Sequence, residues 1–255
     1  MSLEISAKRA AFRKLHESGH FIIPNPWDIG SVRRLEKLGF KALASTSAGA
    51  AWTLGKEDGE LTLDEALDHL RLLCAATDLP INADFEGGFA DAPEGVAVNV
   101  ALAIETGVAG LSIEDRMGAD LYPRALAIER VQAAREAIDR SGQDVLLVGR
   151  TEGFLLGRND VDETIDRLLA YAAAGADVLY PPRVLDLSMI KTIVEAVAPV
   201  PVNILLSTPQ MNVTDLAAVG VRRMSVGGRL ASYAWAAFDK AALSVHDEGH
   251  LPFPT

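Results

Sequence analysis

LPINADFE (residues 79–86) is an apolar run that ends in charge, and GVAGLSIED (107–115) and DVLLVGRTE (144–152) repeat the pattern. Each reads as a short buried strand whose last residues are ionisable. If the three strands lie parallel and side by side, Asp84, Glu86 and Glu114 converge at one rim with Arg150 beside them. Carboxylates gathered at one point repel one another unless a cation sits among them. Oxygen-only donors suit Mg²⁺, with Mn²⁺ as the alternative. Asp84 and Glu86 are two apart and share one face of an extended segment. Neighbouring residues point oppositely, so Glu114 is assigned to the metal and Asp115 a secondary role. Arg150 either neutralises Glu114 or binds a substrate oxyanion through paired N–H groups, and the two roles are compatible. Glu152 is a further acid close by.

Outward from these runs, the strand-like segments number eight: 21–24, 42–46, 81–84, 110–114, 145–150, 178–180, 202–205 and 223–226. Between them lie GSVRRLEKLG, TLDEALDHLRLLCAAT, EGVAVNVALAIETG and VDETIDRLLAYAAAGA, whose apolar residues recur at helix spacing. Gly39, Gly107, Gly175 and Gly220 stand where these helices would end. Apolar strands alternating with helices imply a parallel sheet covered on both faces. Eight such units predict a closed (β/α)₈ TIM barrel, one domain over residues 1–255, with an N-terminal helix at about 5–18. The turn after the first strand is NPWDIGS rather than GxGxxG, which argues against an open dinucleotide-binding sheet. Barrel chemistry sits at the C-terminal ends of strands, where these acids fall.

The turn Ser45-Thr46-Ser47-Ala48-Gly49 offers small residues and exposed N–H groups, either an anion nest or an ordinary turn. Asp58 is a candidate acid behind the metal ligands. Gly227 and Gly228 before the last helix suit a phosphate or simply tight packing. None of the five histidines ends a strand, which disfavours a His-ligated zinc or a His base. No lysine ends the sixth strand, so a Schiff base is disfavoured.

The net charge of −11 argues against nucleic acid and anionic membrane as partners. Cys74 is the only cysteine, so no intrachain disulfide is possible. No signal-like or membrane-spanning apolar run is visible, and a cytoplasmic location is expected.

The run NPWDIGSVRRLEKLGFKALASTSAG, followed in order by NADFEGG, LSIED, VGRTE and PVNILL, resembles the isocitrate lyase/phosphoenolpyruvate mutase superfamily over roughly residues 20–230. The resemblance implies a Mg²⁺-dependent barrel acting on a small 2-oxo or 2-hydroxy acid through a pyruvate-like enolate. Asp84 then matches a direct metal ligand, with Glu86 and Glu114 binding through water and Asp58 nearby. Ser47, Ala48 and Gly49 match the turn that holds the substrate carboxylate, Arg150 the arginine on substrate oxygens, and Asn203 a polar residue ending strand seven. Members exchange C-terminal helices between subunits, which implies a homo-oligomer. The lyases carry Lys-(Arg/Lys)-Cys-Gly-His after strand four, whereas residues 116–130 here read RMGADLYPRALAIER. The expected reaction is therefore cleavage of an oxaloacetate-like 2-oxo acid, which needs no lid cysteine, with Tyr122, Arg124 and Tyr180 as lid or proton-donor candidates. A phosphonomutase or phosphonopyruvate hydrolase type of P–C chemistry is the alternative. A non-catalytic metabolite-binding barrel is the third reading.

Overall fold

The computed structural model describes residues 4–252. The first half of the chain runs α1 (Ile5–Leu15), β1 (Phe21–Ile23), α2 (Ile29–Lys37), β2 (Leu43–Ala44), α3 (Ser47–Thr53), α4 (Leu63–Ala75), β3 (Ile81–Asp84), α5 (Pro93–Glu105) and β4 (Gly110–Glu114). A two-residue hairpin follows, β5 (Arg116–Met117) with β6 (Asp120–Leu121), and then α6 (Arg124–Ser141). The second half runs β7 (Leu146–Arg150), α7 (Val161–Ala173), β8 (Val178–Tyr180), α8 (Leu187–Val197), β9 (Asn203–Leu205), α9 (Val213–Ala218), β10 (Arg223–Ser225) and α10 (Arg229–Glu248).

The architecture is α/β. Strands β2-β3-β4-β7-β8 form a parallel half-barrel, and β1-β10-β9 form a second parallel sheet. Hydrogen bonds cross both gaps between them. Ala44 N–H donates to Pro24 O at 3.0 Å, and Leu179 N–H donates to Pro201 O at 2.9 Å. The hairpin was absent from the sequence-based expectation, and α3 starts at Ser47, inside what read as a turn. Thr46 caps α3 by accepting from Gly49 N–H. The last helix, α10, begins directly after Gly228 and runs to Glu248.

Strand side chains alternate between two environments. Ile81, Ala83, Leu111, Ile113, Leu147 and Leu179 pack outward in the main core under the helices. Their neighbours Asn82, Asp84, Ser112, Glu114, Arg150 and Tyr180 face an internal cavity. The runs that read as uniformly apolar thus carry a polar inner face, which leaves the interior open to ligand. Gly149 permits the close approach of α7, because a Cβ there would lie 2.8 Å from Tyr171 Cβ.

The opposite end of the strands is plugged. Phe12 of α1 is fully buried with Phe21, Ala109 and Leu146. Lys8 donates to Cys74 O and Thr77 O, and Arg9 to Ile104 O and Val108 O. Cations placed at the C-terminal carbonyls of α4 and α5 interact favourably with those helix ends.

Candidate active site

The cavity measures about 240 Å³ and is lined by Asp58, Asp84, Glu86, Glu114, Arg150 and Tyr180, among others. A larger hollow of about 1100 Å³ lies on the outer surface between α5 and α6, and no strand end contributes to it. The internal cavity is the one with convergent charge.

Asp84 is the most constrained acid. Its Oδ2 accepts from Ser47 N–H and Ser47 Oγ, both at 3.0 Å, and its Oδ1 accepts from Arg150 Nη1 at 3.0 Å. Its own N–H donates to Ser45 Oγ at 2.8 Å, so the strand-two turn fixes the end of β3. Arg150 is shared further. Nη1 lies 3.3 Å from Glu114 Oε2, and Nε donates to Glu152 Oε1 at 2.5 Å. Its guanidinium sits 5.2 Å above the Tyr180 ring. Nη2 has no hydrogen-bond partner among the described residues.

Positive charge is scarce here. Burial, followed by Asp84 and Asp58, pushes the Glu86 carboxyl up to about 7. Burial pushes Glu114 up to about 8 despite Arg150, with Glu152, Asp84 and Glu86 adding to the shift. Asp58 and Glu152 are raised as well, chiefly by burial. Burial alone would lower Arg150, yet Glu152, Glu114 and Asp84 hold it well above its ordinary value. Glu86 Oε1 and Glu152 Oε2 are buried without a partner. Orphaned oxygens and raised carboxyls of this kind fit a site that accepts a cation. Among the described residues no three acids, histidines or cysteines stand close enough to cage a metal directly. The donor set therefore fits a hard, partly hydrated divalent cation rather than a closed all-protein cage.

The structure brings Asp58, Asp84, Glu86, Glu114, Arg150, Ser47, Ala48 and Asn203 to one cavity. It does not bring Tyr122, which is 4% exposed and donates instead to Asp91 Oδ1 beneath the Arg130 guanidinium. The reason is the hairpin, which turns the chain away from the cavity before residue 122. Arg124 is likewise outside, donating from the surface of α6 to Asp166 O. Asn203 begins β9 rather than ending it, and lies on the floor, bonded to Arg223 Nε and Ser225 Oγ. Of the three N–H groups in the strand-two turn, Ser47's goes to Asp84 and Gly49's to Thr46. Ala48 alone keeps a free N–H among the described residues.

The roles of three contributors were missed in the sequence. Ser45 was read only as part of a small-residue turn. Asn25 accepts from Val226 and Gly227 N–H and so ties β1 to the glycine pair; its NPWD context was the available signal. Asp115 faces away and accepts from Thr151 Oγ1, Glu152 N–H, Tyr171 Oη and Arg167 Nη1, which fixes the segment carrying Glu152.

The phosphoenolpyruvate phosphomutase family model matches residues 12–246. The chain belongs to this family. An oxaloacetate decarboxylase from Rhodopseudomonas palustris (strain BisB5) is 30% identical to this phosphomutase-family chain, over 94% of it and 85% of the relative. A 2-methylisocitrate lyase from Escherichia coli (strain K12) is 31% identical over 64% of the chain and 57% of the relative. A solved structure from Burkholderia cenocepacia J2315 superposes with a TM-score of 0.94 at 45% identity, covering 97% of this chain and 91% of that one. Its relatives are lyases and phosphonomutases, enzymes that cleave or rearrange C–C or P–C bonds.

Proposed function

We propose that this family member is a Mg²⁺-dependent lyase that releases pyruvate from a small, oxaloacetate-like 2-oxo acid. The observation that carries the reading is the cation-deficient ring of Asp84, Glu86 and Glu114 around Arg150, at the end of a cavity of about 240 Å³. The near full-length match to an oxaloacetate decarboxylase supports this substrate class over the methylisocitrate type, whose match covers less of the chain. We also read the two sheets as one closed (β/α)₈ barrel and the chain as one domain, on the hydrogen bonds across both gaps. Exposed Tyr233, Trp235 and Phe238 on α10 support a homo-oligomer.

Asp84, Glu86 and Glu114 would hold Mg²⁺ (or Mn²⁺), which supplies Lewis-acid stabilisation of charge developing on the 2-oxo oxygen. Arg150 does the rest of the electrostatic work. Glu152 and Asp84 hold its guanidinium from two sides, so its free Nη2 is already aimed when a substrate carboxylate arrives. The Ala48 N–H is a second donor at the rim. When the C3–C4 bond breaks, its electron pair moves into C2–C3 and on to the 2-oxo oxygen, and CO₂ leaves. No base must remove a proton first, so the absent lid cysteine is no obstacle. C3 then takes a proton from water.

The test is pyruvate release, coupled to lactate dehydrogenase, from oxaloacetate, phosphonopyruvate and 2-methylisocitrate in the presence of Mg²⁺. Release from oxaloacetate alone, abolished in Asp84→Ala while the fold survives, is the expected result. Release from phosphonopyruvate instead, followed by ³¹P spectroscopy, would transfer the assignment to P–C chemistry. Tight oxalate binding with no turnover would make the protein a binding barrel.

A further inference from the structure

The loop that carries Glu86 has an uncommon backbone. Glu86 and Phe89 are non-glycine residues at φ +46° and +55°, with Gly88 between them at +76°. Such conformations persist only where the surroundings over-determine them. Here nearly every loop carbonyl has a dedicated donor. Glu86 O accepts from Glu114 N–H at 3.0 Å. Asn99 Nδ2 donates to Gly88 O and Phe89 O at 2.8 and 3.3 Å. Arg130 donates to Ala90 O at 2.5 Å, to Asp91 O at 2.6 Å, and also to Gly87 O. The Tyr122 ring lies 4.0 Å beneath this guanidinium, and its hydroxyl holds the Asp91 carboxylate.

Arg130 is 1% exposed and forms no ion pair among the described residues. Burying a guanidinium without a carboxylate is costly, and an apolar side chain would fill the space at lower cost. What an apolar side chain lacks is a planar fork of donors able to gather three carbonyls at once. Arg130 lies behind the cavity wall, while Glu86 faces the cavity with Oε1 unpartnered.

We propose that Arg130, braced by Tyr122 and assisted by Asn99, is the positioning residue that holds Glu86 in left-handed backbone and so aims its carboxylate at the cation site. The inference rests on the divalent-cation reading above. It gives α6 a part in the site that it never reaches, and it replaces the proton-donor role expected for Tyr122.

The experiment is Mn²⁺ affinity, by electron paramagnetic resonance or calorimetry, for the unmodified protein and for Arg130→Met, each with Glu86 present and with Glu86→Gln. Loss of a residue that orients a ligand commonly weakens metal binding about tenfold or more, and that is the expected effect of Arg130→Met. In the Glu86→Gln background the same change should alter affinity by less than about twofold, because its effect runs through Glu86. Equal losses in both backgrounds would overturn the proposal, since a merely structural role gives that result. Leu216→Ala, a core change on α9, should lower stability and leave Mn²⁺ affinity unchanged; a matching loss there would also overturn it. Should Arg130→Met fail to fold, Asn99→Ala and Tyr122→Phe carry the same comparison. Undiminished affinity in the Arg130 variant overturns this proposal alone. Absence of Mn²⁺ binding in the unmodified protein, with Asp84→Asn indistinguishable from it, overturns the cation reading and this inference together.

Discussion

Asp115 and Glu114 are adjacent acids with opposite fates. Glu114 faces the cavity and is left short of positive charge, whereas Asp115 turns outward, is 2% exposed and has four donors. Its partners Arg167 and Tyr171 come from α7, so one carboxylate joins β4, the segment after β7 and a helix. Removing one member of a buried charged pair strands the other. Asp115→Ala should therefore lower unfolding stability by about 3–5 kcal/mol, measured by urea titration. A loss below about 1 kcal/mol, the scale of an exposed pair, would contradict the network described.

α1 packs against the N-terminal ends of the strands, and its C-cap residue, His16, brings a pH dependence with it. His16 Nδ1 lies 2.8 Å from Phe12 O and Nε2 lies 3.2 Å from Arg223 Nη1. With Nε2 accepting from the guanidinium, the neutral ring donates from Nδ1. Burial first, then Arg223, push the His16 imidazole down to about 3, and the Phe12 carbonyl opposes this only in part. The unfolded chain thus takes up this proton near pH 6.5, well before the native state does. Stability attributable to His16 is complete above that pH and is lost as pH falls toward 3, by up to about 1.4 kcal/mol per pH unit. The raised Glu86 and Glu114 carboxyls contribute with the opposite sign over this range, so the decline is read as a difference. In urea titrations from pH 7 to pH 4.5 the unmodified protein should lose stability relative to His16→Gln. A constant difference between the two would remove His16 as a source.

Across the whole molecule, the net charge of −11 concentrates several of its acids around one cavity without enough cations to match them. A ligand that binds only the folded state raises its stability by mass action. Mg²⁺ at a hundred times its dissociation constant adds about 2.7 kcal/mol, which for a chain of this size lifts Tm by roughly 5–10 °C. Thermal scans with and without Mg²⁺ should show that rise, and Asp84→Ala should lose most of it. An equal rise in the variant would place the bound ion elsewhere.

The alternation of apolar strands with amphipathic helices, and the acids at strand ends, could be read from the sequence because both are local. Periodicity and position along a segment need no partner. This is why Asp84, Glu86, Glu114 and Arg150, 66 residues apart at their extremes, were legible as one group once the strands were taken as parallel. What depended on long-range contact was not legible. Tyr122 sits only a few residues beyond the β4 acids, but a hairpin of two-residue strands turns it under Arg130 instead. Arg130 itself reads as an ordinary helix-surface charge, and only packing against the 86–91 loop makes it a donor to three carbonyls. Likewise the polar lining of the cavity was hidden in strands of high apolar content. A one-dimensional pattern shows which residue types alternate. Whether the inward set closes on itself as a dry core or encloses a chemical site is decided by which side chains the fold sets opposite one another.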